Sequence, residues 1–161
     1  MEPFVILFLF SITLHNLEEA LWLPAWSRTA GKFQKPVSPD SFYFAVIVIT
    51  SLAYLSALFY FVQPSSVIAK YLLVGFIGSM IVNAVFPHLA ATIAFKKYAP
   101  GVLTGALLNI PVNSLIIYQF FRRDELTAAE FIASTAVIGL LLLISIPLLF
   151  RLGSSATRQF R

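Results

Sequence analysis

Hydrophobic and polar positions alternate along this chain in long blocks. Residues 3–23, 41–62, 71–95, 101–121 and 131–150 are almost continuously apolar, and polar residues gather in the short segments between them. Each block reaches the roughly 20 residues needed to cross a hydrocarbon core about 30 Å thick. The pattern predicts an all-α, polytopic membrane protein, a single bundle of five transmembrane helices over about 3–23, 41–62, 67–95, 100–121 and 128–150, with a basic, mobile tail over 151–161.

Local signals place the helix ends. Trp22 and Trp26 suit the aromatic belt where the first helix is expected to finish, near Leu23-Pro24. Ser38-Pro39 supplies an N-cap and a first-turn proline for the second helix. The third opens after Gln63-Pro64-Ser65-Ser66, Lys70 can extend its stem toward headgroups, and Pro87 predicts a kink. Gly101 and Gly105 give the fourth helix a GxxxG spacing that permits close helix packing. Thr127-x-x-Glu130 is a capping box for the fifth.

Composition sharpens the picture. The 161 residues are 59% hydrophobic and 11% charged, against about 25% charged in soluble domains. Of 11 basic and 7 acidic residues, Glu18 and Glu19 alone fall inside the apolar blocks. With no cysteine, thiolate metal sites, disulfides and thiol nucleophiles are excluded. The net charge of +4 calls for no nucleic-acid partner, because the basic residues lie beside helix ends, where headgroups account for them. Met1-Glu2-Pro3 lacks a signal peptide's basic start, so the first helix is expected to be retained. Arg28, Lys32, Lys35, Lys96, Lys97, Arg151, Arg158 and Arg161 share one side, against Lys70, Arg122 and Arg123 on the other. That bias predicts a multi-pass protein of the cell membrane with its amino terminus outside and its carboxyl terminus cytoplasmic.

Candidate chemistry sits inside the helices. Ionisable groups at membrane depth are costly and normally face the bundle interior with a partner. His15, Glu18 and Glu19 share one face of the first helix by their i, i+3 and i, i+4 spacing. The third helix offers Asn83, His88 and Thr92, with the awkward i, i+5 step from Asn83 to His88 helped by the Pro87 kink. The fourth offers Thr104, Asn109 and Asn113. At 1.5 Å per residue, His15, His88 and Asn109 lie about 10 to 12 Å from helix ends on the same side of the membrane. The polar groups of three helices can therefore meet in one layer.

Two imidazoles and a carboxylate suffice for a catalytic zinc with an open position, or for the facial triad of non-haem iron. His15, Glu19 and His88 are the expected metal ligands. Glu18 and Glu19 are the expected acid and base groups, the second carboxylate activating metal-bound water or fixing an imidazole tautomer. Asn83 or Asn109 can donate to a developing oxyanion. The chemistry this suggests is a metal-dependent intramembrane hydrolase, or a lyase or isomerase, acting on a lipid-like or small amphipathic substrate from the bilayer. Two alternatives use the same residues: a proton-coupled small transporter relaying protons between the glutamates and His88, and a structural membrane subunit whose polar layer only fixes helix register.

The pattern His15-x-x-Glu18-Glu19, with Asn83 and His88 and with Tyr98-x-Pro100-Gly101-x-x-Thr104, resembles the HXXEE family of small integral membrane proteins, over most of the chain. The resemblance implies a polytopic membrane protein and marks His15, Glu18, Glu19, Asn83 and His88 as the functional set. It supplies no mechanism.

Overall fold

The computed structural model describes residues 2–31 and 35–158; Lys32 and Arg161, both counted in the charge bias above, lie outside them. Among the described residues the chain is all-helical, with five helical spans long and apolar enough to cross a membrane, Pro3–Ser27, Pro39–Val62, Val67–Phe95, Val102–Arg122 and Ala128–Arg158. The expected all-α, five-span membrane architecture is what the chain adopts.

The first two spans are the single helices α1 (Glu2–Ser27) and α2 (Pro39–Val62). The third comprises α3 (Val67–Asn83), a π-helical turn (Ala84–Leu89) and α4 (Ala90–Phe95). The fourth comprises the short α5 (Val102–Thr104), a second π-helical turn (Gly105–Asn109) and α6 (Ile110–Arg122). The fifth is α7 (Ala128–Arg158).

The caps follow the sequence. Ser38 accepts from the Ser41 amide at 3.3 Å ahead of Pro39, and Ser66 accepts from the Ala69 amide at 3.3 Å. The Thr127/Glu130 capping box closes reciprocally at 2.7 and 3.3 Å.

Three local expectations are corrected. α1 does not stop near Leu23 but runs through Pro24 to Ser27, where the Ser27 hydroxyl returns to the Pro24 carbonyl at 2.9 Å. Residues 151–158 are not a loose tail. They extend α7, because Gly153 packs tightly on Ser41 and Phe44 at the start of α2, and Ser154, Ser155 and Thr157 bond back to preceding carbonyls. Lys70 is not extended to headgroups: its ammonium donates to the Glu125 carbonyl at 2.7 Å, beside the contact between the Tyr71 hydroxyl and Glu130.

The third span is the centre of the bundle. In its most apolar window 56% of residues are buried, against 17 to 39% for the other four. Val5, Phe8 and Ile12 of α1, Leu73 and Ile77 of α3, and Ile116 and Phe120 of α6 form the core. Long apolar side chains of α7 such as Leu140, Leu143 and Ile144 face outward, as lipid contact requires.

Between helices in a bilayer, small residues let backbones approach and dispersion does the rest. The seam between α3 and α7 is built this way: a Cβ on Gly75 would lie 2.7 Å from the Ser134 carbonyl and 2.4 Å from Ile138. Gly75→Val is therefore expected to destabilise the protein by about 2 kcal/mol, measured as a lower thermal midpoint in detergent.

The break in the third span has a backbone cause. A residue before proline is pushed out of the α region, and Phe86 sits at φ −134°, ψ 119°. The kink expected at Pro87 is present, and the π turn built around it rotates His88 toward the interior.

Candidate functional site

α1 carries His15 and Glu19 one turn apart, with the His15 Nε2 and Glu19 Oε1 atoms separated by 3.6 Å. His88, from the π turn of the third span, brings its Nε2 to 2.7 Å from the same Glu19 oxygen. One nitrogen from each imidazole and one carboxylate oxygen thus lie within 4.8 Å of one another. The two rings meet edge to face, with centroids 5.1 Å apart. His15 is fully buried and His88 is 4% exposed, whereas Glu19 retains 14%. The cluster therefore opens on the Glu19 side.

Asn83 reaches both imidazoles. Its Nδ2 lies 3.1 Å from His15 Nε2 and 3.2 Å from His88 Nε2, so the amide and the carboxylate contact the same pair of nitrogens. The i, i+5 spacing that is awkward on a straight α-helix is met because the chain breaks at Phe86 between the two residues, where the backbone leaves the helical region. Asn83 is half-buried and borders the same opening as Glu19.

Glu18 turns away from the cluster. Its Oε1 accepts from the Tyr98 hydroxyl and from the Gly101 amide at 2.7 Å, and its Oε2 accepts from the Thr104 amide at 2.8 Å and the Thr104 hydroxyl at 2.5 Å. Four donors occupy both oxygens, so Glu18 is not free to act on water as the sequence expectation required. It instead anchors the turn between the third and fourth spans. The Tyr98 hydroxyl is pushed above the usual phenol range by partial desolvation and by this carboxylate, so it stays a proton donor.

That turn fixes the imidazoles. The Thr104 hydroxyl has a single proton, which it gives to Glu18, so it must accept at 3.0 Å from His15 Nδ1. His15 is held as the Nδ1–H tautomer, its Nε2 lone pair accepting from the Asn83 amide at 3.1 Å on the side of the ring near Glu19 and His88. His88 contacts the Pro100 backbone; proline has no N–H, so it is the carbonyl that accepts, and this donation orients the second ring.

Gly101 is required for these contacts. It has φ +92°, and a Cβ there would stand 2.7 Å from the His88 ring and 3.0 Å from His15. The Gly101/Gly105 pair, expected as a generic packing motif, is the gap into which the imidazoles fit. Gly105 also lets Ala84 approach, to 3.1 Å from where its Cβ would be.

The structure thus brings together His15, Glu19, His88 and Asn83, with Glu18 one layer behind. Thr92 lies outside the cluster and accepts from the Ala99 amide at 3.2 Å. Asn109 and Asn113 make no hydrogen bond to these side chains among the described residues: Asn109 Oδ1 accepts from Ser11, one turn before His15, and its Nδ2 has no partner. The sequence reading underrated Thr104 and Gly101. Their signal is the spacing Tyr98-x-Pro100-Gly101-x-x-Thr104, which delivers two hydroxyls, two amides and an open glycine face from one turn.

Residues 6–116 match the family described as "Protein of unknown function with HXXEE motif". The chain is 59% identical over 157 residues to "Uncharacterized protein YrkK" of Bacillus subtilis (strain 168), covering 98% of this chain and 99% of that protein. No solved structure matches.

Proposed function

The chain belongs to the HXXEE family, and from that premise we propose that it is an intramembrane enzyme in which His15, Glu19 and His88 hold a divalent metal, zinc or iron, for hydrolytic chemistry on a lipid-like or small amphipathic substrate. The observation that carries this reading is the convergence of two Nε2 atoms and a carboxylate oxygen whose supporting partners are already in place. Ligands around a tetrahedral zinc at 2.0 to 2.1 Å stand about 3.3 Å apart. The separations of 2.7 and 3.6 Å from Glu19 bracket that value. The imidazole nitrogens facing away from the cluster are engaged as donors, the arrangement that aims a histidine lone pair at a metal.

His15, Glu19 and His88 would hold the metal, which would supply Lewis acidity and activate water for hydrolysis. The residues do the rest. Thr104 and Pro100 keep both imidazoles aimed inward, Glu18 holds the turn that carries them, and Asn83 stands at the opening, where its amide can hydrogen-bond a polarised carbonyl. Both partly exposed members, Glu19 and Asn83, border that opening, so a substrate enters past them from the bilayer between the first and third spans. The excess of Lys and Arg on the connections beside this end of the bundle supports a cytoplasmic placement for it.

A second reading rests on one distance. At 2.7 Å, His88 Nε2 and Glu19 are within hydrogen-bond distance, and an acid–base pair in the same place can initiate isomerisation or relay protons without a metal.

Comparative lipid profiling tests the proposal. Membranes carrying the wild-type protein are expected to lose one lipid species and gain its hydrolysis products, an effect abolished by chelator and by His88→Ala. Profiles that match those of His88→Ala when metal is in excess would overturn the hydrolytic reading.

A further inference from the structure

A second polar group lies one helical turn further into the bundle, outside the cluster. Ser11 is four residues before His15 on α1, and its hydroxyl donates to Asn109 Oδ1. Asn109 and Asn113 are themselves four residues apart on the fourth span, so they share a face. All three side chains are fully buried. Asn109 Nδ2, Asn113 Nδ2 and Asn113 Oδ1 nevertheless have no hydrogen-bond partner. The two amides do not satisfy each other, although helical spacing places them side by side.

At the depth of Ser11 and Asn113, near the middle of their spans, orphaned amide atoms are expensive, because no bulk water reaches them and lipid offers no partner. Two NH2 groups and one carbonyl oxygen together demand a ligand that both accepts and donates. Ser11, Asn109 and Asn113 contribute no charge, so an ionic group such as a phosphate or ammonium would be left uncompensated there. We propose that Ser11, Asn109 and Asn113 form an uncharged binding pocket for a neutral hydroxyl-bearing group, either water or the hydroxyl of a membrane lipid. It stands about 6 Å from His15 along α1, by four residues of helical rise. The pocket does not depend on a metal at the cluster, so loss of the metalloenzyme reading would leave it intact.

The test is a map of the wild-type protein in lipid nanodiscs at a resolution that shows ordered water. Density within hydrogen-bond distance of Asn109 Nδ2 and of both polar atoms of Asn113 is the expected result. A compact, isolated feature identifies water, and a feature continuing into a chain identifies a lipid hydroxyl. An empty pocket, or amides turned to bond each other, overturns the proposal. Asn113→Leu gives a second readout by sign. If the amide binds a ligand, its loss lowers the thermal midpoint by about 2 to 8 °C. A higher midpoint, from removing an idle buried amide, overturns the proposal as well.

Discussion

Glu18→Gln and Glu19→Gln, one residue apart, are expected to fail in opposite ways. Glu18 takes four hydrogen bonds from Tyr98, Gly101 and Thr104. A glutamine there keeps one acceptor oxygen and turns an NH2 toward donors. Each buried donor left without an acceptor costs about 1 to 3 kcal/mol, so Glu18→Gln should lose about 3 kcal/mol and melt well below the wild type. Glu19 accepts from no backbone group among these contacts; its partners are the two imidazoles. Glu19→Gln should therefore retain most of the stability and lose metal affinity and activity. Thermal melts run beside metal analysis separate the two outcomes, and equal loss of stability in both variants would contradict the assignment.

Thr104→Val should uncouple the support from the fold. Valine keeps the β-branched shape but removes the hydroxyl that accepts from His15 Nδ1 and donates to Glu18. The Thr104 amide contact to Glu18, at 2.8 Å, survives the substitution. His15 is then free to take either tautomer, and loss of such a supporting partner typically weakens metal binding 10- to 100-fold. Competition against a chelator of known affinity measures the change. Thr104→Ser, which restores the hydroxyl, is expected to recover most of the binding. Valine and serine variants indistinguishable from wild type would show that the hydroxyl does not orient the ring.

How much of this was legible in the sequence differs by level. The five spans were readable because charge is excluded from them, and the bilayer enforces that exclusion residue by residue. The meeting of His15, Glu19 and His88 was readable from depth, since helical rise converts residue number into height. Direction was harder. Glu18 shares a helix face with His15 by spacing, yet the turn carrying Tyr98, Gly101 and Thr104 captures its carboxylate, and no helical periodicity reports a turn from another span. The π turn in the third span was foreshadowed by Pro87; the one over Gly105–Asn109 has no proline within it but stands just ahead of Pro111, which has no N–H to give the Leu107 carbonyl four residues back. The helical continuation through Arg158 was hidden because its cause is packing of Gly153 on α2. The unfilled amides of Asn109 and Asn113 become visible only when their neighbours can be counted.

Titration of tag-free, metal-free protein in lipid nanodiscs with zinc or ferrous iron probes the meeting of His15, Glu19 and His88 most directly. One tightly bound ion per chain is expected for the wild type, and none for His15→Ala, His88→Ala or Glu19→Gln, each folded by its thermal melt. A wild-type protein that takes up neither metal, or three variants that bind as well as it does, would contradict a metal centre shared by the first and third spans.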